Sequence, residues 1–148
     1  MTPEQKTNIL EILDRALDIT VATVREDGYP QATTVSFVHD GETIYFGCDP
    51  NSQKARNIER SDKVSLTINL PYQRWEDIRG VSLGGRAHIV TDPAELQKVI
   101  QAMMTKFPQI SDFAPNDREQ LCIVRIDPDV ISLLDYRKGF GHTEEIRV

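Results

Sequence analysis

The sequence predicts a mainly β protein with flanking helices, built as a small barrel of antiparallel strands. Two observations support this prediction: short β-branched runs outnumber helical patterns, and tight turns join most of these runs. The predicted order is helix, three strands, helix, two strands, helix, two strands. Because few helices separate successive strands, a parallel doubly wound sheet is disfavoured. An antiparallel sheet closed into a barrel, with helices against its openings, fits the order better.

The N-terminal half begins with a helix predicted over residues 2–17, and the barrel starts at about residue 18. Thr2 and Gln5 form a capping-box pattern, with proline at the first helical position between them. Three strands follow, joined by Asp-Gly pairs that favour tight hairpin turns. These strands are predicted at 19–26, 31–40 and 43–48.

The second half alternates helices with pairs of strands. Gly84-Gly85, inside one predicted strand, indicates a bulge or a close backbone approach. Asp92 and Glu95 form a second capping-box pattern, which opens a helix that ends near Phe107. The remaining predicted elements are a helix at 52–60, strands at 64–70 and 81–92, polar loops at 71–79 and 108–118, and strands at 121–127 and 130–136.

Composition predicts a single domain over residues 1–148 and excludes several classes of protein. The chain has 17 Lys and Arg against 23 Asp and Glu, a formal charge of −6. Without a cationic cluster it is not expected to bind nucleic acid. Its apolar runs are too short for a membrane span, and its N-terminus does not resemble a secretory signal. A cytoplasmic location is therefore expected.

Cysteines and histidines indicate no metal site. Cys48 and Cys122 lie far apart in the sequence and form no C-x-x-C pair, so we interpret them as buried, unreactive thiols in a reducing cytosol. The three histidines are isolated from one another and from the cysteines, and none has the spacing of a ligand cluster. They are His39, His88 and His142.

The start of the second helix has a pattern typical of an anion site. Ser52 offers a helix cap, and Lys54 and Arg56 lie in the first turn. The positive end of the helix dipole normally attracts acidic residues, so two cations there are unfavourable unless an anion joins them. A plain capped surface helix with solvated cations is the alternative, and this pattern by itself leaves both open.

Two stretches resemble a known family. Residues 22–68 contain a strand, D-G-x-P, a strand, a D-G turn, a strand, an S-x-K-x-x-N-I helix and a V-S-L-T-I strand. This succession resembles the first half of the pyridoxamine 5'-phosphate oxidase-like superfamily of flavin-binding split barrels. Residues 135–148 are similar to the ending of small FMN-binding or stress-related members. Together the likeness extends over about residues 18–148.

The resemblance implies a split β-barrel of six to seven mostly antiparallel strands that binds FMN at a homodimer interface. It implies a flavin-dependent oxidoreductase acting on an unidentified small molecule, with an electron donor such as NAD(P)H. The second strand would face the flavin ring, the S-x-K turn would hold the phosphate, and the C-terminal tail would fold over the site. The corresponding residues are Thr33, Thr34, Val35 and Ser36 for the ring, Ser52, Gln53 and Lys54 for the phosphate, and Arg137 and Phe140 in the tail.

Departures from the family pattern argue against vitamin B6 as the substrate. Authentic pyridoxamine phosphate oxidases carry an arginine where this chain has Thr33, and they end in a tryptophan and arginine/histidine set that is missing here. Oxidation of vitamin B6 is therefore not expected. A non-catalytic flavin-binding or stress-related carrier is an alternative, as is the same scaffold with F420 or haem. No catalytic side chain is predicted, since flavin hydride chemistry needs no protein acid or base.

Overall fold

The computed structural model describes residues 1–113 and 121–148. Its helices are α1 (Pro3–Arg15), α2 (Gln53–Arg60), α3 (Pro93–Lys106) and α4 (Ile110–Phe113). Its strands are β1 (Asp18–Val24), β2 (Pro30–Ser36), β3 (Val38–Asp40), β4 (Thr43–Cys48), β5 (Lys63–Asn69), β6 (Arg79–Ile89), β7 (Cys122–Asp135) and β8 (Thr143–Arg147). None of the described helices is long and apolar enough to cross a membrane.

The strands form one antiparallel sheet that curls into a barrel. Their order is β2-β1-β5-β6-β7-β4-β3, and β8 pairs with β7 beside this path. The two ends of the order, β2 and β3, are consecutive in the chain and are separated only by Phe37, whose side chain is fully buried. The sheet therefore returns to its own beginning, which confirms the predicted mainly β barrel with flanking helices.

The helices cover two different parts of this sheet. Strand residues that point into the barrel form the main core, together with Ile12 and Leu13 of α1. On the outside, α3 packs Val99 and Met103 against Tyr45 of β4 and its neighbours on β3 and β7. The outer face of β2, β1 and β5 keeps half-exposed or exposed side chains. This part of the barrel is therefore available for a further contact.

The two predicted capping boxes have different outcomes. At α1 the box is complete: the Thr2 hydroxyl accepts from the Gln5 N–H at 3.1 Å, and the Gln5 side chain accepts from the Thr2 N–H at 2.8 Å. At α3, Asp92 accepts from the Glu95 N–H at 3.2 Å. The Glu95 carboxylate instead accepts from the Tyr45 hydroxyl at 3.0 Å and from Arg125 at 2.6 Å, so the reciprocal half of that prediction is wrong.

Three strand predictions need correction. The predicted strand 31–40 divides at Phe37 into β2 and β3, which lie at opposite ends of the sheet order. The predicted strands 121–127 and 130–136 are one strand, β7, whose first half pairs with β4 and whose second half pairs with β8. Strand β8 was not predicted, because it is short and charged with a single inward apolar side chain, as edge strands often are. The predicted loop 108–118 contains α4, and residues 114–118 lie outside the described residues.

The predicted irregularity at Gly84-Gly85 is confirmed. Gly84 pairs with Val130 and Gly85 with Pro128, so the register shifts and Asp129 becomes the extra residue of a bulge. Pro128 has no N–H to donate, and at a bulge this loss does not break a regular ladder. The bulge therefore explains why β7 continues through a proline.

Replacing Gly85 by alanine is expected to lower the free energy of unfolding by about 2 kcal/mol or more. A Cβ at Gly85 would meet the Asp127 carbonyl oxygen at 2.5 Å and the Pro128 Cα at 3.1 Å, and both are backbone atoms that cannot move aside cheaply. Gly84→Ala is the matched control, because its Cβ would meet nothing closer than Val130 Cγ1 at 3.5 Å. Urea unfolding of the two variants measures the difference. Equal stabilities would contradict the close approach at Gly85.

Candidate functional site

The turn between β4 and α2, residues 49–54, is shaped by its own side chains. Asp49 accepts from the Asn51 N–H at 2.8 Å, and the Ser52 hydroxyl accepts from the Ala55 N–H at 3.2 Å as the cap of α2. The N–H groups of Gln53 and Lys54 open the helix and have no intrahelical acceptor. The 49–54 turn thus presents free backbone donors at the positive end of a helix, where anions bind favourably.

Lys54 is the cation of this turn that keeps its charge unpaired in the described structure. Ion pairs in residues 1–113 and 121–148 engage Lys6, Lys98 and Lys138 but not Lys54. Its half-buried ammonium lies 5.6 Å from the centroid of the Phe46 ring. Burial lowers the pKa of Lys54, because the charged form loses hydration. An anion bound beside it would compensate for that loss.

Arg56, the second cation predicted for this site, forms hydrogen bonds within the turn instead. Its guanidinium donates to the Asn51 carbonyl oxygen at 2.6 Å and to the Gln53 side-chain oxygen at 3.0 Å. These two contacts direct its donors at the turn itself. Of the two cations in the sequence pattern, Lys54 is therefore the one with donors available to a ligand.

Asn57, the asparagine of the S-x-K-x-x-N-I motif, connects the 49–54 turn to the sheet, a role that the sequence analysis did not assign to it. Only 1% of this residue is exposed. Its amide donates to the Thr23 hydroxyl at 3.0 Å and to the Gln31 side chain at 3.2 Å, and it accepts from the Gln53 amide at 2.8 Å. One signal could have indicated this role: Asn57 lies four residues after Gln53, on the same face of the helix. Through Asn57, α2 is tied to both β1 and β2.

The four predicted ring-lining residues of β2 lie on two faces. Thr33 and Val35 point into the barrel, where Val35 packs against the core, whereas Thr34 and Ser36 are exposed. The Thr33 hydroxyl oxygen is buried without a hydrogen-bond partner. Because β2 pairs only with β1 in the described sheet, half of its backbone N–H and C=O groups point away from the ladder. A ligand along β2 would therefore meet backbone groups and alternate side chains.

The outer face beside β2 presents small hydroxyl side chains. In the strand registers, Thr34 is opposite Thr20, Thr20 is opposite Thr67, and the alignment continues into β6 and β7. The resulting hydroxyl row consists of Thr34, Thr20, Thr67, Ser82 and Ser132. The next row contains only small side chains at Ala32, Ala22, Ser65 and Gly84. Such a flat surface allows close approach of another backbone or a planar ligand.

Arg137, predicted as a cofactor residue, is held by a carboxylate of its own chain. Its guanidinium donates to the two carboxylate oxygens of Asp135 at 2.8 and 2.7 Å. Only 1% of Asp135 is exposed, and Asn8 of α1 donates to it at 3.1 Å. The bond to Arg137 is the main reason that the pKa of Asp135 falls to about 2. The immediate role of Arg137 in this structure is to stabilise that buried charge.

Phe140, the other predicted tail residue, belongs to an exposed aromatic cluster. It is 79% exposed, and its ring stacks on Trp75 with 5.8 Å between centroids and meets Tyr136 edge-on at 5.6 Å. Gly139 and Gly141 have φ angles of 141° and 76°, as the predicted sharp turn requires. We call Trp75, Tyr136 and Phe140 the aromatic cluster.

Within one chain the aromatic cluster and the 49–54 turn lie at opposite ends of the sheet. The cluster follows Asp135, which pairs with Arg79 at the start of β6. Helix α2 leads into Lys63, which pairs with Arg86 further along β6. Arg86 lies seven positions after Arg79 along β6, which corresponds to roughly 20 Å of strand. The structure therefore does not bring Arg137 and Phe140 together with Lys54 in a single subunit.

The two cysteines, which are distant in the sequence, are neighbours in the fold. Cys48 is directly opposite Cys122 in the β4–β7 register. Both are free thiols, and Cys122 is buried while Cys48 is half-buried. The expectation of two separate buried thiols is thus corrected: the pairing of β4 with β7 brings them together.

The histidines remain apart. The two ring nitrogens of His39 bond the Asp14 carboxylate at 2.7 Å and the Gly41 carbonyl oxygen at 2.9 Å.

Comparison with known proteins identifies the family. General stress protein 26 from Bacillus subtilis (strain 168) is 29% identical over 131 residues, which are 88% of this chain and 88% of that protein. The heme binding protein from Mycobacterium smegmatis superposes with a TM-score of 0.83 at 17% identity, covering 99% of this chain and 59% of that chain. HutZ, the heme storage protein from Vibrio cholerae, superposes with a TM-score of 0.70 at 22% identity, covering 84% of this chain and 89% of that chain.

At these identities the two superpositions show a shared fold. The family itself is shown by a model described as pyridoxamine 5'-phosphate oxidase, which matches residues 6–135. That match includes the 49–54 turn, β2 and Asp135 and excludes the tail that carries Phe140. Since it spans most of the chain, the protein belongs to the pyridoxamine 5'-phosphate oxidase family.

Proposed function

We propose that this protein binds FMN and acts as a flavin-dependent oxidoreductase on a small molecule. The observation that supports this proposal most directly is the half-buried, unpaired ammonium of Lys54 beside the free N–H groups that open α2. A phosphate monoester carries up to two negative charges and strong acceptor oxygens, which match a cation and a helix N-terminus. The arrangement thus fits the phosphate end of FMN.

The residues along β2 fit the ring end. The outward backbone groups of β2 offer donors and acceptors to the polar edge of a flavin, and the exposed hydroxyls of Thr34 and Ser36 lie on the same strand. The hydrogen bond from Asn57 to Gln31 joins α2 to β2. The two ends of the ligand would therefore meet a preorganised surface. When bound, FMN supplies hydride transfer, and the protein supplies binding, orientation and exclusion of water.

We also propose a homodimer that completes the site. Binding sites usually bury most of a ligand's surface, and the exposed edge of β2 in one subunit leaves a ligand open to solvent. The small side chains of the hydroxyl row would allow close packing of a second copy. The C-terminal tail of the second subunit would then reach the ligand. The tail of the same subunit lies at the opposite end of the sheet and does not reach it. In this proposal the named ligand residues are Thr33, Thr34, Val35, Ser36, Ser52, Gln53, Lys54, Arg137 and Phe140.

The proposed electron donor is NAD(P)H, and the substrate is a small molecule other than vitamin B6. Thr33 stands where authentic pyridoxamine phosphate oxidases carry an arginine, so one of the cationic contacts of those enzymes is missing. The proposal also places the protein in the reducing cytosol, where the free thiols Cys48 and Cys122 would persist.

Haem binding is the second candidate, and it is favoured by the structural likeness to a heme binding protein and a heme storage protein. Haem requires an axial ligand, and both ring nitrogens of His39 already have hydrogen-bond partners. This makes His39 a poor axial ligand, so a haem site would have to use another side chain. A stress-related carrier without turnover is a third candidate, supported by the name of the curated relative. The scaffold could also hold F420 in place of FMN.

The absorption spectrum of the purified protein, followed by anaerobic addition of NAD(P)H, tests the proposal. Flavin bands that bleach with NAD(P)H and return with an acceptor would support the oxidoreductase. Flavin bands that no donor reduces would favour the carrier, a Soret band would favour haem, and a deazaflavin spectrum would favour F420. Sedimentation tests the assembly: a stable monomer with full flavin occupancy would contradict the dimer-interface site.

Replacing Phe140 by alanine is expected to lower FMN affinity about two- to tenfold and to reduce quenching of flavin fluorescence, because stacking on a ring contributes about 0.5–1.5 kcal/mol. Truncation after Tyr136 is not a clean test: it deletes β8 and with it Ile146, which is only 4% exposed. Tyr72→Ala is the control, since Tyr72 is exposed and lies outside the aromatic cluster. If Phe140→Ala and Tyr72→Ala bind FMN equally well, the tail does not contact the ligand.

A further inference from the structure

Cys48 and Cys122 occupy corresponding ends of two paired strands. Cys48 is the last residue of β4 and Cys122 the first of β7, and the two are direct partners in the antiparallel register. Direct partners point their side chains to the same side of a sheet. Cys122 is part of the main core, and Cys48 packs against it. The two sulfur atoms are therefore on one face, next to each other, although 73 residues separate them in the chain.

The spacing of such partners suits a covalent bond. Opposite residues in an antiparallel pair have Cα atoms about 4.5 or 5.5 Å apart, and disulfides join Cα atoms about 4.4–6.8 Å apart. Cys48 and Cys122 form the last residue pair of the β4–β7 ladder, so each has a paired neighbour in this ladder on only one side along its strand. A small adjustment of the sulfur atoms could therefore join them while the barrel stays intact.

The two thiols differ in accessibility. Cys122 is 8% exposed, whereas Cys48 is half-buried and precedes the exposed part of the 49–54 turn. Burial and the neighbouring Cys48 thiol raise the pKa of Cys122 to about 12. Cys48 is thus the thiol that meets a reagent from solvent first.

We propose that Cys48 and Cys122 form a redox site, which a small-molecule disulfide such as oxidised glutathione closes into an intramolecular disulfide. The Cys48 thiolate attacks one sulfur of the reagent, and a Cys48 mixed disulfide forms as the first glutathione thiolate leaves. Cys122 then gives up its proton and its sulfur attacks Cys48, expelling the second glutathione. Two protein thiols lose two electrons, and one small disulfide becomes two thiols.

Closure would anchor the residue before the 49–54 turn to the start of β7. The bond would enclose the 73 residues between Cys48 and Cys122, and a long enclosed segment strongly restricts the unfolded ensemble. We therefore expect the oxidised protein to melt about 5–10 °C higher than the reduced protein. This inference does not depend on the identity of the cofactor, because it involves only the two thiols and the sheet register.

The test is incubation of the full-length protein with oxidised glutathione at mildly alkaline pH, followed by intact mass, peptide mapping and thermal melting. The expected product is a single chain lighter by two hydrogens, with the Cys48 and Cys122 peptides linked, and dithiothreitol should reverse both the mass and the melting temperature. Cys122→Ser should retain a glutathione adduct on Cys48, and Cys48→Ser should remain largely unmodified. The proposal is overturned if the unaltered chain keeps two free thiols, stops at the Cys48 adduct, or links only to a second chain.

Discussion

Replacing Lys54 by methionine is expected to weaken FMN binding about ten- to a hundredfold and to leave the free energy of unfolding nearly unchanged. A charge-assisted contact to phosphate contributes about 1.5–3 kcal/mol, which corresponds to that range of affinity. Methionine keeps an apolar stem near the Phe46 ring, so the packing of Lys54 is largely preserved. Since burial of the ammonium disfavours the charged form, its loss is expected to leave stability equal or slightly higher.

Fluorescence titration of FMN measures the affinity, and urea unfolding of the ligand-free protein measures stability. Lys54→Arg is the conservative variant and should retain part of the affinity. Lys63→Met is the matched control, because Lys63 is exposed on β5 and should affect neither quantity by more than a small factor. Wild-type affinity in Lys54→Met would show that another cation holds the phosphate, with Arg56 the next to test.

Acidification from about pH 5 to pH 2 is expected to remove about 2 kcal/mol of stability through Asp135 alone. In the folded protein the pKa of Asp135 is lowered from 3.8 to about 2, chiefly by Arg137. A depressed folded-state pKa means that the stabilisation is fully present above the unfolded value of 3.8. It is then lost as the pH falls from that value through about 2. In this range the unfolded chain binds a proton at Asp135 that the folded chain does not, so acidification favours unfolding.

Asp135→Asn tests this contribution at neutral pH. The amide has nearly the same shape but no charge, so Arg137 loses its partner and the pair with Asn8 is disturbed. Breaking a buried ion pair costs about 3–5 kcal/mol, and the half exposure of Arg137 to water places the expected loss at about 2–3 kcal/mol. Urea unfolding at neutral and acidic pH should show that the variant has also lost part of the acid sensitivity of the wild type.

Asp129→Asn is the control for this experiment. Asp129 is exposed and its nearest cation, Arg86, lies 3.5 Å away, so its removal should change stability by less than about 1 kcal/mol. An Asp135→Asn variant with wild-type stability and an unaltered pH dependence would contradict the assigned role of the carboxylate. The Lys54 and Asp135 experiments are complementary, because one should change ligand affinity without stability and the other should change stability first.

Features that depend on neighbours in the chain could be predicted from the sequence. Thr2 and Gln5 cap each other within one helical turn. Strand alternation also predicted the mainly β barrel. In each case the interacting groups lie a few residues apart, or the pattern has the period of a single element, so local physical chemistry is sufficient.

The candidate site was predictable only in part, because a motif indicates which residues cooperate without showing their contacts. The S-x-K pattern pointed to Lys54, whose ammonium forms no ion pair within residues 1–113 and 121–148, while Arg56 bonds to the turn itself. The pattern did not reveal that Asn57 reaches Gln31 across the space between α2 and β2. That contact depends on how the helix sits on the sheet.

By itself, then, the sequence determined the mainly β class, the helix caps, the tight turns and the serine-capped turn before α2. Tertiary structure alone decided that Phe37 joins the two ends of the sheet, that Cys48 faces Cys122, and that Asn8 reaches Asp135. The physical reason is that these pairs are distant in the chain. They meet only after every strand has adopted one register and every helix has packed against the core, so no local period of the sequence contains them.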